Sequence, residues 1–256
     1  MHETKNRGDI EDEQYIPQIA VLSSDALGID SLLRADDGAL SAANALEGML
    51  GQIISSHLAY EEPNRGSNSL QIFQYGLYFG DSVYVFTDPS EPLEGQVNKL
   101  TALAAAILWV GAYTTLKEKR KAYAPRIGIA LGDLRVRTIQ VEGRRYNLRI
   151  GRSMALAHKI EWNQNWVGGA LPSSLVQSDE QHTAEYDIPI KDAYKGPPLA
   201  AINWLPIAAL NEDRYPPDEM VSDLASYAET LTDSDAKAKW TNTWAFAEAM
   251  LRRTES

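Results

Sequence analysis

Gly80-Asp81 is the feature that most constrains this chain. It stands between two runs, Leu70 to Phe79 and Ser82 to Thr87, both rich in Tyr, Phe, Val and Ile. Two such residues between two β-prone runs predict a tight hairpin, and a hairpin commits its strands to an antiparallel pair. The pattern repeats further on. Pro125 to Leu131 reads as a strand, Gly132-Asp133 as a turn and Leu134 to Val141 as the returning strand, with Glu142-Gly143 turning the chain once more. Ahead of both hairpins Ile19-Ala20-Val21-Leu22 is apolar on both faces, which predicts a central strand; it runs into Ser23-Ser24-Asp25.

Helical patterns fill the intervals. Asp36 or Asp37 can cap a helix over about 38–60 that places Leu40, Ala43, Leu46, Leu50, Ile53 and Ile54 on one face. Residues 62–69 read as a loop. A long helix is expected over about 94–122, its basic end at 117–121 suiting a helix C-terminus. A third spans Gly151 to Trp162 with Met154, Leu156, Ala157 and Ile160 inward, and short β elements are expected near Trp166–Leu171 and Leu199–Leu205, with Gly168-Gly169 as a turn. Strand, helix, hairpin, helix, hairpin, helix and small strands make an α+β chain: an antiparallel-rich, ferredoxin-like sheet with helices packed on it. The expected organisation is a polar disordered arm at 1–14, a main domain over 15–206 and a helical C-terminal extension over 207–256. In that extension Trp240, Trp244, Ala247 and Leu251 follow helical spacing, so one face is expected to be covered, by the main domain or by a dimer partner.

Composition removes several functions. The chain has 256 residues and no cysteine, so disulfides, thiolate metal sites and thiol catalysis are excluded. A formal net charge of −11 argues against nucleic acid as a partner. Residues 1–14 lack the apolar stretch of a signal peptide. Leu100 to Tyr113 is too short to span a bilayer and reads as a core helix; a cytoplasmic location with no membrane partner is expected. His2, His57, His158 and His182 show no zinc-ligand spacing.

Two carboxylates stand out by position: Asp25 ends the first strand and Asp81 sits at the hairpin tip. If the hairpin lies beside that strand, both reach one end of the sheet. Neighbouring carboxylates repel unless they share a cation, and hard oxygen ligands that leave room for phosphate suit Mg²⁺ or Mn²⁺. The structural alternatives are a conformational Gly-Asp turn and a helix cap or salt-bridge partner.

From Ile19 to Leu175 the chain resembles the class III nucleotide cyclase domain. The resemblance rests on four motifs in order: Asp25-Ala26-Leu27-Gly28-Ile29; Phe79-Gly80-Asp81-Ser82-Val83-Tyr84-Val85-Phe86; Arg126-Ile127-Gly128-Ile129-Ala130-Leu131-Gly132; and the helix from Gly151 through Arg152, Met154, Ala155 and Lys159 to Glu161. It implies that Asp25 and Asp81, assisted by the Ala26 carbonyl, bind two Mn²⁺ or Mg²⁺ ions, and that backbone N–H groups from Ala26, Leu27, Gly28 and Ile29 face a triphosphate. It also implies a homodimer with the site at the interface, the last helix coming from the other subunit.

Departures from the family pattern fall on the other half of that site. The family's transition-state Asn falls on Ala155 and its Arg on Lys159, a point charge without the bidentate fork; Arg152 and Arg149 are nearby. The two purine-reading positions fall on Leu77 and Leu148, with Tyr75, Tyr78, Tyr146 and Asn147 close by to stack on or hydrogen-bond a base. A missing purine-reading pair beside retained acids looks like the bacterial pyrimidine cyclases of anti-phage defence. Those make cyclic UMP or cyclic CMP for a downstream effector protein. UTP is favoured, then CTP; the alternatives are a purine cyclase and an inactive cyclase-like interaction module.

Overall fold

The computed structural model describes residues 9–27, 76–79, 82–117, 124–141, 144–176, 181–191 and 193–254. The helix expected over 38–60, the first part of the run from Leu70, and Gly28, Ile29, Gly80 and Asp81 lie outside the described residues.

Among the described residues eight strands form one sheet: β1 (Asp9–Leu27), β2 (Gly76–Phe79), β3 (Ser82–Phe86), β4 (Ala124–Val141), β5 (Arg144–Ile150), β6 (Gly168–Pro172), β7 (Thr183–Ala184) and β8 (Leu199–Ile202). Their order is β2-β3-β1-β4-β6-β8-β7, with β5 paired to β4, and only β4–β6 among these pairs is parallel. Phe79 lies opposite Ser82, the hairpin that the sequence predicts.

β1 and β4 are longer than the apolar patterns suggest. Asp9 to Gln14 belong to β1, paired to β4 from Gln140 to Val136, where a disordered arm was expected. Asp9, Ile10, Asp12, Glu13 and Gln14 each pair with a β4 residue there, and Glu11 falls at a register shift. Gly132-Asp133 does not turn: β4 runs straight through it, and the register slips on β1 instead, between Ile16 and Ile19, where Pro17 and Gln18 oppose a single β4 residue. The glycine serves close approach. A Cβ on Gly132 would stand 2.7 Å from the Ser153 backbone nitrogen. Gly168-Gly169 likewise lies within β6, where a side chain would strike Trp166 or Ile202.

Among the described residues there are five α-helices. Helix α1 (Leu93–Leu116) packs on β1 and β4. It is long and apolar enough to cross a membrane, but 67% of its most apolar window is buried inside the fold. Gln96 locks it to the sheet: its Oε1 accepts from the Ala20 N–H at 2.9 Å and from the Thr87 hydroxyl at 2.7 Å. Helix α2 (Arg152–Asn163) lies on β4, with Ala157 and Ile160 fully buried and Met154 and Leu156 only partly so.

Helices α3 (Leu205–Ala209), α4 (Pro217–Thr230) and α5 (Ser234–Thr254) complete the chain. The inner face of α5 carries Trp240, Thr243, Phe246, Ala247 and Met250, with Trp244 and Leu251 less buried. Thr243 Oγ accepts from the Val167 N–H at 2.9 Å, and Phe246 meets Trp166 edge-on at 4.9 Å. The covering of that face is thus the body of the fold itself, just ahead of β6.

Candidate active site

Asp25 lies near the end of β1, with Ser82 of β3 as its partner on one side and Arg126 of β4 on the other. Residues directly opposite on neighbouring antiparallel strands share a face. Arg126 donates from Nη2 to Asp25 Oδ2 at 2.6 Å. The same nitrogen is 3.1 Å from Glu161 Oε1, close enough to pair by charge but without hydrogen-bond alignment. Glu161, on the buried side of α2, is fully enclosed, and its Oε2 is 3.1 Å from His158 Nδ1. The Arg126 guanidinium also lies 5.7 Å from the centre of the Trp162 ring.

A glycine makes this cluster possible. Gly128 follows Arg126 by two residues and so faces the same way. A Cβ there would stand 2.1 Å from the Ala157 carbonyl oxygen and 2.7 Å from the Glu161 nitrogen. Only a residue without a side chain lets α2 lie this low, and the low position brings Glu161 to Arg126.

Burial is the main influence pushing the Glu161 carboxyl above its ordinary range; the charge of Asp25 pushes the same way, while His158 and Arg126 oppose it. His158 is raised chiefly by its hydrogen bond to Glu161. Tyr84, on β3 opposite Ser23, is raised chiefly by burial. Ser23, two residues before Asp25 on the same face of β1, and Ser24, on the opposite face, are both fully buried.

The donor chemistry at this end of the sheet fits a hard divalent cation. Arg126 takes one oxygen of Asp25. Pro125, the strand partner of Ala26, has no N–H to offer the Ala26 carbonyl. Carboxylate and carbonyl oxygens are what Mg²⁺ and Mn²⁺ prefer. Among the described residues no group of three or more His, Asp or Glu forms a complete metal set. Asp81 lies outside the described residues, but Ser82, its neighbour in the chain, is the strand partner of Asp25. Leu27 closes β1 opposite Ala124.

The remaining candidates are spread over β2, β5 and α2. Leu77 and Tyr78 are in β2, opposite Tyr84 and Val83. Tyr146, Asn147 and Leu148 are in β5, opposite Ile139, Thr138 and Arg137 of β4, and Leu148 is exposed. Arg137 lies eleven residues beyond Arg126 (137 − 126) on β4, which at the rise of a strand is roughly 35 Å. Arg152 is largely exposed and pairs with Asp133 at 3.2 Å. Lys159 is exposed, donates to the Lys195 carbonyl and lies 5.8 Å from the Tyr194 ring centre. One chain therefore does not gather β5 around Asp25, and α2 offers it Glu161 rather than Lys159. Sequence reasoning named Arg126 and Glu161 within motifs but gave neither a role. The available signal was a charged residue next to Ile160 on the inward side of α2.

The chain is similar in structure to the adenylyl cyclase CyaB from P. aeruginosa, with a TM-score of 0.51 and 18% identity over 75% of this chain and 95% of that one. It is similar to the guanylate cyclase domain of RhGC from Catenaria anguillulae, solved in complex with GTP, with a TM-score of 0.56 and 14% identity over 74% and 98%. A bacterial light-regulated adenylyl cyclase gives 0.51 and 12% over 78% and 98%. These likenesses establish the fold, an α+β core like that of these cyclase domains. No protein-family model matches the sequence, and no curated protein does.

Proposed function

We propose that this chain is a metal-dependent nucleotide cyclase that works as a homodimer in the cytoplasm. The observation that carries the reading is the position of Asp25: at the end of a central strand, paired to the residue that follows Asp81, within a cyclase-type fold. In the proposed reaction the sugar 3′-oxygen attacks the α-phosphorus of a nucleoside triphosphate. A new O–P bond forms, the bond to the β-phosphate breaks, pyrophosphate leaves and the hydroxyl proton passes to water. Asp25, the Ala26 carbonyl and Asp81 would hold Mn²⁺ or Mg²⁺. When bound, such ions lower the pKa of the attacking hydroxyl and neutralise charge on the leaving phosphates.

The chain's own residues divide the remaining work. Backbone N–H groups from Ala26 to Ile29 cradle the triphosphate. Lys159 and Arg152, exposed on α2, reach the phosphates of a site completed by a second copy. The distance between β5 and Asp25 within one chain supports that dimeric arrangement. The base is read by Leu77, Tyr78, Tyr146, Asn147 and Leu148, a set without the polar pair a purine reader needs. UTP is accordingly the favoured substrate, then CTP, and the cyclic product would serve as an alarm for an effector in anti-phage defence.

A specific observation favours a second reading, an inactive cyclase-like interaction module: Arg126 already occupies one oxygen of Asp25. One experiment separates the readings. The purified protein is incubated with Mn²⁺ and each of the four ribonucleoside triphosphates, and cyclic monophosphate and pyrophosphate are measured by mass. A cyclic pyrimidine that disappears in Asp25→Ala is the expected result. A cyclic purine overturns the base assignment. No product from any triphosphate, with no Mn²⁺-dependent rise in melting temperature, selects the inactive module.

A further inference from the structure

The Asp25–Arg126 pair poses an electrostatic difficulty for a metal site. A carboxylate bonded at 2.6 Å to a buried guanidinium has its charge already met. A divalent cation arriving at its other oxygen would face the positive charge of Arg126 inside a region of low dielectric, where such repulsion is strong. Glu161 answers the difficulty. It lies 3.1 Å from the same Arg126 nitrogen, on α2, with no exposed surface of its own.

We infer that Glu161 is the counter-anion that frees Asp25 for metal: by sharing Arg126 it leaves the Asp25–Arg126–Glu161 group with one net negative charge, available to a divalent cation. This rests on the proposed metal site at Asp25. Glu161 touches neither metal nor nucleotide in this role; it is a positioning residue acting through Arg126. Two basic neighbours, Arg126 and His158, each 3.1 Å from one of its oxygens, oppose the upward push of burial and draw Glu161 toward the carboxylate form that this role requires. With Glu161 present the trio carries −1, and without it the remaining Asp25–Arg126 pair is neutral; His158, at 3.1 Å from the other Glu161 oxygen, adds a positive charge only when it is protonated. Gly128 belongs to the same device, since its missing side chain sets the depth of α2 and hence the distance from Glu161 to Arg126. The device also ties the Asp25 end of the sheet to the helix that carries Lys159 and Arg152.

The test is a Mn²⁺ titration of the full chain, read by thermal shift and, separately, by the metal dependence of cyclisation. Glu161→Gln is isosteric and removes the charge. It is expected to raise the Mn²⁺ midpoint about tenfold in both readouts, with turnover recovering at saturating metal. A purely structural role would lower the melting temperature without moving the midpoint, and an unmoved midpoint overturns the inference. The double variant Glu161→Gln/Arg126→Met removes the cation together with its counter-anion and again leaves Asp25 with one negative charge. It is expected to bind Mn²⁺ at least as tightly as the parent; a weaker midpoint overturns the inference even if the single variant does not fold. A parent protein that shows no Mn²⁺ response at all removes the metal site itself, and this inference with it.

Discussion

The β1–β4 ladder carries ion pairs of the same kind at both ends, an acid on β1 and an arginine on β4. At one end Asp25 meets Arg126 with side chains 13% and 5% exposed. At the other Glu13 meets Arg135 at 2.8 Å and Arg137 at 3.0 Å, and Glu13 and Arg137 are 34% and 38% exposed. Strand register makes both. What differs is the covering. Gly128 and Gly132 let α2 lie against β4 near Arg126, whereas the arginines at 135 and 137 fall on the opposite face and meet solvent. Register decides which charges meet; the element laid over them decides whether the pair matters. Exposed pairs contribute little, and breaking a buried one leaves a charge without water or partner.

Removing the buried cation should give the largest effect. Arg126→Ala leaves Asp25 and Glu161 as two enclosed carboxylates without their guanidinium, and a loss of about 3–5 kcal/mol in denaturant unfolding is expected. A loss no larger than that of the exposed pair would erase the distinction. Next is the covering itself. In Gly128→Ala the new methyl meets the Ala157 carbonyl oxygen at 2.1 Å. The helix must rise, at a cost of about 1–3 kcal/mol. The Mn²⁺ midpoint should move in the direction of Glu161→Gln, because Glu161 rises with the helix.

A smaller effect sits at the rim of the buried cluster. His158 is half exposed and held above its ordinary value chiefly by Glu161. A folded pKa above the unfolded one means that the imidazolium contributes stability fully below the unfolded value, lost as pH rises through the folded one. Proton NMR of the ring should show an upward-shifted titration in the parent and a return toward the ordinary value in Glu161→Gln. An unchanged titration in the variant would detach His158 from the cluster.

How much of this was legible in the sequence depends on the kind of information involved. The β2–β3 hairpin, with Phe79 opposite Ser82, follows from local turn chemistry, which a sequence displays directly; that it lies beside β1, with Ser82 opposite Asp25, is a long-range pairing that the sequence leaves as a condition. The length of β1 and β4 does not. Asp9 to Gln14 look like a solvated arm because hydrophobic patterning detects burial and not pairing, and it is pairing with β4 that makes this stretch strand. Gly132-Asp133 reads as a turn for the same local reason as Gly80-Asp81, yet its glycine exists for the approach of α2, a contact the local pattern cannot contain. The same applies to the candidate site. Asp25 was marked by its place at a strand end, but the Arg126–Glu161 link joins residues 35 positions apart (161 − 126) through a helix depth set by Gly128. Pairing of that sort becomes visible only when the helix is laid on the sheet.

The smallest expected effect is at the exposed end, and it tests the comparison from the other side. Glu13 is held below the ordinary carboxylate range by hydrogen bonds from Arg137 and then Arg135. That shift describes a favourable contact, but both partners and Glu13 itself remain in water, where solvent and salt screen the charge. The sign follows from the lowered value: whatever the contact contributes is present above the unfolded pKa and disappears as pH falls through the folded one. Glu13→Gln should therefore leave the melting temperature at neutral pH within the error of measurement, and added salt should not separate variant from parent. The Mn²⁺ midpoint should also stay where it is, since the charge lies on the far end of the ladder from Asp25. A loss of stability comparable to Arg126→Ala would mean that Glu13 is covered in solution, and an assembly whose second copy lies over this arm would then supply the cover that one chain lacks.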